Sequence, residues 1–239
     1  MKGIILAGGL GTRLDPLTRI TNKHLLPVYD KPMVYYPMNS LIQAGISEIM
    51  LVTGGAFAGD FLRLLGNGEE FGIKKLHYTY QHGEGGIAAA LSLAEDFSDG
   101  DKTITILGDN IFEDDLTPYI NKFEAQSKGA RLLLKEANDA RRFGVPELQG
   151  KLISRIDEKP ERPASQYAVT GIYMYDSQVF DIIRSLKPSD RGELEITDVN
   201  NAYIQMQSLE YDFLSGFWSD AGTFESLYHA SELVRKKNE

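Results

Sequence analysis

Three short apolar runs, each halted by glycine, set the strongest limit on what this chain can fold into. Gly3-Ile4-Ile5-Leu6-Ala7 stops at Gly8-Gly9, Ile49-Met50-Leu51-Val52-Thr53 stops at Gly54-Gly55, and Thr103-Ile104-Thr105-Ile106-Leu107 stops at Gly108. A continuous apolar run of this length, without alternation, reads as a strand covered on both faces, as in a parallel sheet. Helical stretches lie between them: Pro32 to Ala44 with Gly45 as its stop, Phe57 to Leu65 stopped by Gly66, and Ile87 to Phe97. In the last of these Ile87, Leu91 and Ala94 share one face. Strand and helix in alternation predict an α/β fold built on crossover connections.

After about Lys135 the texture changes. Phe143 to Leu148, Lys151 to Glu158 and Tyr167 to Tyr175 read as alternating strands, with a turn at Gln149-Gly150; Gln178 to Leu186 reads as a helix, and Phe224 to Lys237 as a closing amphipathic one. No repeat, low-complexity tract or long linker interrupts the chain. The expected organisation is one domain over residues 1–239 with two lobes, 1–135 and 136–239.

Composition excludes whole classes of chemistry. There is no Cys, which removes thiol catalysis, disulfide frameworks and thiolate-held zinc. A formal charge of −9 without a Lys/Arg tract argues against sequence-independent nucleic-acid binding. No apolar run is long enough to span a bilayer, and the start breaks at Gly8 before a signal peptide could form, so a cytoplasmic protein without membrane or nucleic-acid partners is expected. Sixteen of the 23 glycines fall at or before Gly108, which points to backbone approaching a ligand in the front half.

The strongest local feature is Gly8-Gly9-Leu10-Gly11-Thr12-Arg13-Leu14, directly after the first strand. Glycines at the carboxyl end of a sheet strand let amide N–H groups converge on an anion, and a guanidinium beside them suits a phosphate. It is neither the dinucleotide fingerprint nor a P-loop, and taken alone it is as compatible with a plain turn. Lys23 follows ten residues on, where a solvated lysine is the ordinary expectation. His24, His77, His82 and His229 have no metal spacing, and Tyr35-Tyr36 and the Tyr78/Tyr80 pair read as packing.

From here the sequence resembles the sugar-phosphate nucleotidylyltransferases. The carrying blocks are Leu6-Ala7-Gly8-Gly9-Leu10-Gly11-Thr12-Arg13-Leu14, Lys23-His24-Leu25-Leu26-Pro27-Val28, Leu107-Gly108-Asp109-Asn110-Ile111-Phe112, Glu158-Lys159-Pro160, Val169-Thr170-Gly171-Ile172-Tyr173, Arg191-Gly192-Glu193-Leu194-Glu195-Ile196-Thr197-Asp198 and Trp218-Ser219-Asp220-Ala221-Gly222-Thr223, in that order along essentially the whole chain. The resemblance implies an α/β, Rossmann-like, mixed and mostly parallel central sheet with helices on both faces. It also implies a reaction: a nucleoside triphosphate and a sugar 1-phosphate give a nucleoside-diphosphate sugar and pyrophosphate, best matched by dTTP and glucose 1-phosphate.

By the same resemblance Arg13, Lys23, Asp109 and Lys159 are the catalytic candidates. Gly8, Gly9, Gly11, Thr12, Arg13, Gln81, Gly86 and Asp109 would bind the nucleotide, with the Gln81 amide reading the base. Gly144, Glu158, Lys159, Val169, Gly171, Tyr173 and Arg191 would hold the sugar phosphate, and Asp109 with Asp220 would hold Mg²⁺. Against these stand blander roles: a turn residue for Asp109, a helix cap for Asp220, a surface ion pair for Lys159. Two positions depart from the family pattern, Ala89 where Gln is usual and Asp15 where larger or basic residues are frequent. The chain matches the family's short form, so feedback through the C-terminal regulatory segment of longer relatives is expected to be absent. Alternatives are a uridylyl- or other nucleotidylyltransferase on a related sugar phosphate, and a non-catalytic nucleotide-sugar-binding protein. Self-association into a homo-oligomer is left open.

Overall fold

The structure is a computed structural model that describes residues 1–238. In chain order the elements are β1 (Lys2–Ala7), β2 (Pro27–Val28), β3 (Lys31–Pro32), α1 (Tyr35–Gln43), β4 (Glu48–Gly54), α2 (Ala58–Leu65), β5 (Lys75–Gln81), α3 (Ile87–Ser92), α4 (Glu95–Ser98), β6 (Thr103–Leu107) and β7 (Asn110–Phe112). They continue with α5 (Thr117–Ala125), β8 (Ala130–Glu136), β9 (Gly144–Gln149), β10 (Leu152–Glu158), β11 (Tyr167–Tyr175), α6 (Gln178–Ser185), α7 (Ile196–Gln205), β12 (Leu209–Phe213), β13 (Trp218–Asp220) and α8 (Phe224–Asn238). The chain divides into two compact units, one of Lys2–Glu84, Ile106–Thr117 and Gly216–Glu239, the other chiefly of Gly85–Thr105 and Pro118–Ser215. Neither is continuous in sequence.

In the first unit β1, β4 and β5 pair in parallel. The buried-strand expectation holds: Ile4, Ile5, Ile49, Leu51 and Val52 are all shut off from solvent. Both β1 and β4 run longer than their apolar cores, because a flanking Lys2 or Glu48 can reach water from a strand end. The helix expected from Pro32 starts only at Tyr35, since Lys31–Pro32 is spent in a two-residue ladder with Pro27–Val28. β7 and β13 form a second short antiparallel ladder, pairing Asn110 with Asp220. Around it Val28, Met33, Ile111, Ala221, Ala230 and Val234 make one apolar cluster, which seats α8.

The second unit is mixed: β12 runs parallel to β8, and β11 antiparallel to it. Together the pairings give the expected mixed, mostly parallel α/β class. β11 does not show the expected alternation; every residue from Ala168 to Tyr175 is buried, so both its faces are covered. The stretch expected as one helix over 87–97 breaks into α3 and α4, where the Leu93 and Ala94 N–H groups bond three residues back and tighten the turn. β9 and β10 form the hairpin expected at Gln149-Gly150. Among the described residues no helix is long and apolar enough to cross a membrane.

A buried polar knot holds this unit. The Asp176 carboxylate accepts from the Gly129 amide at 2.5 Å, the Tyr203 hydroxyl at 2.7 Å and the Gln178 amide at 3.1 Å. Tyr203 stacks on Tyr175, whose own hydroxyl donates to Asn200 at 2.6 Å, so α7 is tied to β11 by rings and hydroxyls alike. Asp176→Ala strips an acceptor from three donors and is expected to cost about 3 kcal/mol in urea unfolding, against about 1 kcal/mol for Tyr203→Phe. Equal losses for the two variants would show that the carboxylate is not the hub.

Candidate active site

In the first unit the glycine loop closes around a lysine. Gly11 sits at φ +69°, and a side chain there would come within 2.8 Å of Lys23 Cβ and 2.9 Å of Thr18 Cγ2. Its carbonyl accepts from the Thr18 hydroxyl at 3.1 Å and from the Leu14 amide at 2.9 Å. Glycine is therefore required at 11 both by the left-handed turn and by the Lys23 stem lying against it. Gly9 also opens toward Lys23 Cε, and Gly8 toward the Gln81 side-chain oxygen. The loop thus brings Gly8, Gly9, Gly11, Thr12, Arg13, Lys23 and Gln81 into one neighbourhood.

Lys23 Nζ lies 2.6 Å from Asp109 Oδ2, and both side chains are nearly buried, 12% and 13% exposed. Sequence supplies the two ends separately, a short helical turn at Lys23–Leu25 and the residue just after Gly108. The turn is locked by Asn22, whose side-chain oxygen accepts from the His24 amide at 2.9 Å and lies 2.8 Å from its ring Nδ1. The His24 ring fills the space that Gly108 leaves, since a side chain at 108 would meet its Cδ2 at 2.7 Å. Burial pushes the Asp109 carboxyl up, but the Lys23 charge and hydrogen bond, with the Asn110 amide at 3.0 Å, outweigh it and hold the group well below the usual carboxylate range. Asn110 is itself held by the Trp218 indole N–H at 2.7 Å.

Asp220 reaches the same place through the β7–β13 ladder. A side chain at Gly222 would lie 3.1 Å from Arg13 Nη2, 3.4 Å from Asp220 Oδ2 and 3.7 Å from Asp109 Oδ2. Two carboxylate oxygens and one guanidinium therefore converge on a single small residue, and the Ala221 amide donates to the Asp109 carbonyl at 2.8 Å to keep the strands in step. Hard oxygen donors without His or Cys fit a magnesium-type ion that completes its shell with water and phosphate. Among the described residues no cluster of three or more His, Cys, Asp or Glu is placed to hold a metal. Asp15, the acidic departure beside the loop, is neutralised locally by Arg19 through contacts of 2.7 and 2.8 Å.

The second unit carries the remaining candidates. Glu158 closes β10, and its Oε2 accepts from the Thr197 hydroxyl at 2.6 Å. Gly144, across the hairpin from Glu158, leaves a space 3.3 Å from Thr197 Oγ1 and 3.7 Å from Glu158 Oε2. Lys159 adopts φ +45°, a left-handed conformation that an L residue takes at a cost of about 1–2 kcal/mol. Its amide bonds the Phe143 carbonyl at 3.0 Å and its ammonium sits 3.3 Å from Glu158, half exposed. Strain of this kind gathers at functional positions, whereas the ion pair alone would add little. Arg191 reaches Glu158 at 3.5 Å. Val169 and Tyr173 are buried on β11, Tyr173 stacked on Tyr175; Gly171 lies between them. Gly86, at φ +89°, passes so close to Leu194 that a side chain would meet its carbonyl oxygen at 2.6 Å.

Sequence reasoning missed Asn22, Asn110, Ser189, Glu195 and Thr197 as parts of these sites. All but Asn22 and Ser189 lie inside the quoted blocks, but nothing in residue type or spacing says which side chain a polar neighbour will hold. A polar cleft of about 790 Å³ in the second unit, lined by Lys135, Asp139, Arg141 and Gln166 among others, contains none of the expected residues.

The family model described as nucleotidyl transferase matches residues 2–237. The chain belongs to the nucleotidyl transferase family. It is 46% identical to a glucose-1-phosphate thymidylyltransferase of Neisseria meningitidis over 98% of this chain and 83% of the relative. A Mycolicibacterium smegmatis protein of the same name is 48% identical, over 98% of this chain and 82% of its own. A Bacillus anthracis crystal structure, described as a candidate glucose-1-phosphate thymidylyltransferase in complex with a sucrose, superposes with a TM-score of 0.95 at 53% identity, covering 98% of this chain and 95% of that one. A UDP-glucose pyrophosphorylase bound to UDP-glucose shares the fold, with a TM-score of 0.85 at 22% identity. The α/β, Rossmann-like, mostly parallel class is thereby the nucleotidyltransferase one.

His24 gives the family core a pH signature. Burial, reinforced by the Lys23 charge, lowers its imidazole from 6.5 to about 3, against the smaller opposing pull of Asp109 and the Ala7 carbonyl. Below its unfolded pKa the unfolded chain binds a proton that the folded one refuses. This contribution is thus intact above pH 6.5 and lost as pH falls from there toward about 3, by up to about 1.4 kcal/mol per pH unit. Chemical unfolding at pH 7.5, 6 and 5 should show the fall in wild type and a shallower one in His24→Gln. Parallel pH slopes for the two proteins would remove His24 as the cause.

Proposed function

We propose that the chain transfers a deoxythymidylyl group from dTTP to glucose 1-phosphate, giving dTDP-glucose and pyrophosphate. The observation that carries this reading is the convergence of Arg13, Asp109 and Asp220 on Gly222, with Lys23 against Asp109. In-line attack of a sugar-phosphate oxygen on the α-phosphorus brings two anions together, gathers charge on the α-phosphate and expels pyrophosphate. Such chemistry needs positioning and positive charge more than covalent help.

Each unit then has a stated task. In the first, the Gly8–Thr12 backbone and Arg13 bind the triphosphate, Gln81 reads the base, and Lys23 neutralises charge developing at the α-phosphate. Asp109 and Asp220 would hold Mg²⁺, which when bound screens the phosphate oxygens and stabilises the leaving pyrophosphate. Lys23 bonds Asp109 at 2.6 Å, so its ammonium stands beside the carboxylate that would hold the ion. In the second unit Gly86 contributes to the base contact. Lys159 and Arg191 bind the sugar phosphate, while Glu158 accepts from the hexose hydroxyls in the space bounded by Gly144, Val169, Gly171 and Tyr173.

The deciding measurement is pyrophosphate release with each nucleoside triphosphate in turn against glucose, mannose and N-acetylglucosamine 1-phosphates. Release is expected with dTTP and glucose 1-phosphate, and chelation of divalent metal should abolish it. Activity confined to UTP or GTP would overturn the thymidylyl assignment. Asp109→Asn should lower kcat by at least about a hundredfold, the scale for losing a group that organises transition-state charge, with an unchanged circular dichroism spectrum. Near-normal turnover would remove Asp109 from the metal site.

A further inference from the structure

The loop after α6 is organised around one carboxylate. Glu195 immediately precedes α7, in the position where a side chain ordinarily caps the helix, yet it makes no cap hydrogen bond. Instead its Oε1 accepts from the Ser189 hydroxyl at 2.7 Å and from Arg191 Nη2 at 2.9 Å, while Oε2 takes Nη2 at 2.8 Å. Arg191 Nε adds a longer contact of 3.2 Å to Oε1. The Glu195 side chain is only 11% exposed, whereas Arg191 is 44% exposed. The helix gives up a cap to hold an arginine, and the arginine faces water.

Which edge of the guanidinium is held decides what remains. Nε and Nη2 are taken by Glu195, with Glu158 and Glu193 more distant, at 3.5 and 3.8 Å from Nη2. Nη1 has no protein partner among the described residues. A guanidinium is planar, so a carboxylate on one edge fixes where the opposite donors point. The loop is further stiffened by the Ser189 amide on the Glu193 carbonyl and the Gly192 amide on the Ser189 carbonyl, both at 2.8 Å. The Leu194 amide bonds the Gly85 carbonyl at 2.9 Å, and the Leu194 carbonyl accepts from the Ala88 amide.

We infer that Glu195 is the positioning residue for Arg191: it grips the Nε–Nη2 edge so that Nη1 is presented to the phosphate of the sugar 1-phosphate. This rests on the reading of Arg191 as a sugar-phosphate ligand. Ser189 is its second point of support, locking the carboxylate from the other side. An ordinary surface pair would be exposed on both partners and singly bonded. This one is buried on the acidic side and shares its carboxylate with a hydroxyl. Burial together with Glu195 and Glu158 raises the neighbouring Asp198 carboxyl.

The test is a double-mutant cycle on the intact protein, read as separate KM values for the two substrates. Arg191→Ala is expected to raise KM for glucose 1-phosphate by about tenfold or more, the loss of one charge-assisted contact. Glu195→Gln should raise the same KM by a comparable factor, leave KM for dTTP within about twofold, and keep kcat at saturating sugar phosphate close to wild type. Glu195→Asp should recover part of the loss. The double variant should be no worse than Arg191→Ala alone, because a positioning residue has no effect once its client is gone. If Glu195→Gln folds poorly, Ser189→Ala removes the supporting hydroxyl while keeping both charges, and a smaller rise in the same KM is expected. Additive losses, or a Glu195→Gln enzyme with wild-type KM beside a defective Arg191→Ala, would overturn the inference. A wild-type KM in Arg191→Ala would instead overturn the sugar-phosphate reading of Arg191, and the inference with it.

Discussion

The first unit depends on burying one lysine against one aspartate. Removing both charges from water is costly, and their attraction offsets that cost only where the geometry is good and the remaining valences are met. Here they are met. Lys23 and Asp109 approach to 2.6 Å, and the free carboxylate oxygen takes the Asn110 amide at 3.0 Å. Much of the nearby sequence follows from that pair. Gly9 and Gly11 make room for the lysine stem, Gly108 makes room for His24, and Asn22 fixes the turn that carries both. Glycine in this loop is thus as much a requirement of the ion pair as of any ligand.

This explains why the strands could be read from sequence more readily than the site. β1 and β4 announce themselves because burial on both faces demands nearly unbroken apolar residues, β6 because its isoleucines alternate only with threonine, and turns demand glycine at their ends. α7 does not announce itself. Its buried face, Ile196, Val199 and Tyr203, is interleaved with Thr197 and Asn200, which are also buried because hydrogen bonds satisfy them. β7 and β13 are three residues each, too short for any period to register. Expected alternation failed in β11 for the opposite reason, since polar Thr170 is buried with its hydroxyl on the Leu133 carbonyl at 2.8 Å.

For the candidate site, the resemblance pointed to Arg13, Lys23, Asp109 and Asp220, and the fold brings these four together. What sequence could not contain was the pairing. Lys23 and Asp109 are 86 residues apart, and an isolated lysine is ordinarily solvated. Asn110 and Glu195 were visible inside recognised blocks but carried no role, because a residue that works by holding another has no chemical signature of its own. Of the blander alternatives, Asp109 does lie in a turn, whereas Asp220 caps no helix. One is engaged by Lys23 and the other lies in a strand facing the same point.

Net charge then takes on a narrower meaning. A chain of −9 that binds two phosphorylated substrates cannot rely on a broad basic surface. Each of its candidate phosphate-binding cations rests on an opposite charge. Lys23 rests on Asp109, Lys159 on Glu158 and Arg191 on Glu195. These partners play unequal parts. Asp109 takes Lys23 on one oxygen and the Asn110 amide on the other, and both charged side chains are nearly buried. Glu195 is tied down by Ser189 and has only the arginine to hold, so its pair is built to stay closed. The same ion-pair chemistry therefore buries both partners in one unit and only the acidic one in the other, and the second partner of each carboxylate, Asn110 or Ser189, fixes its direction.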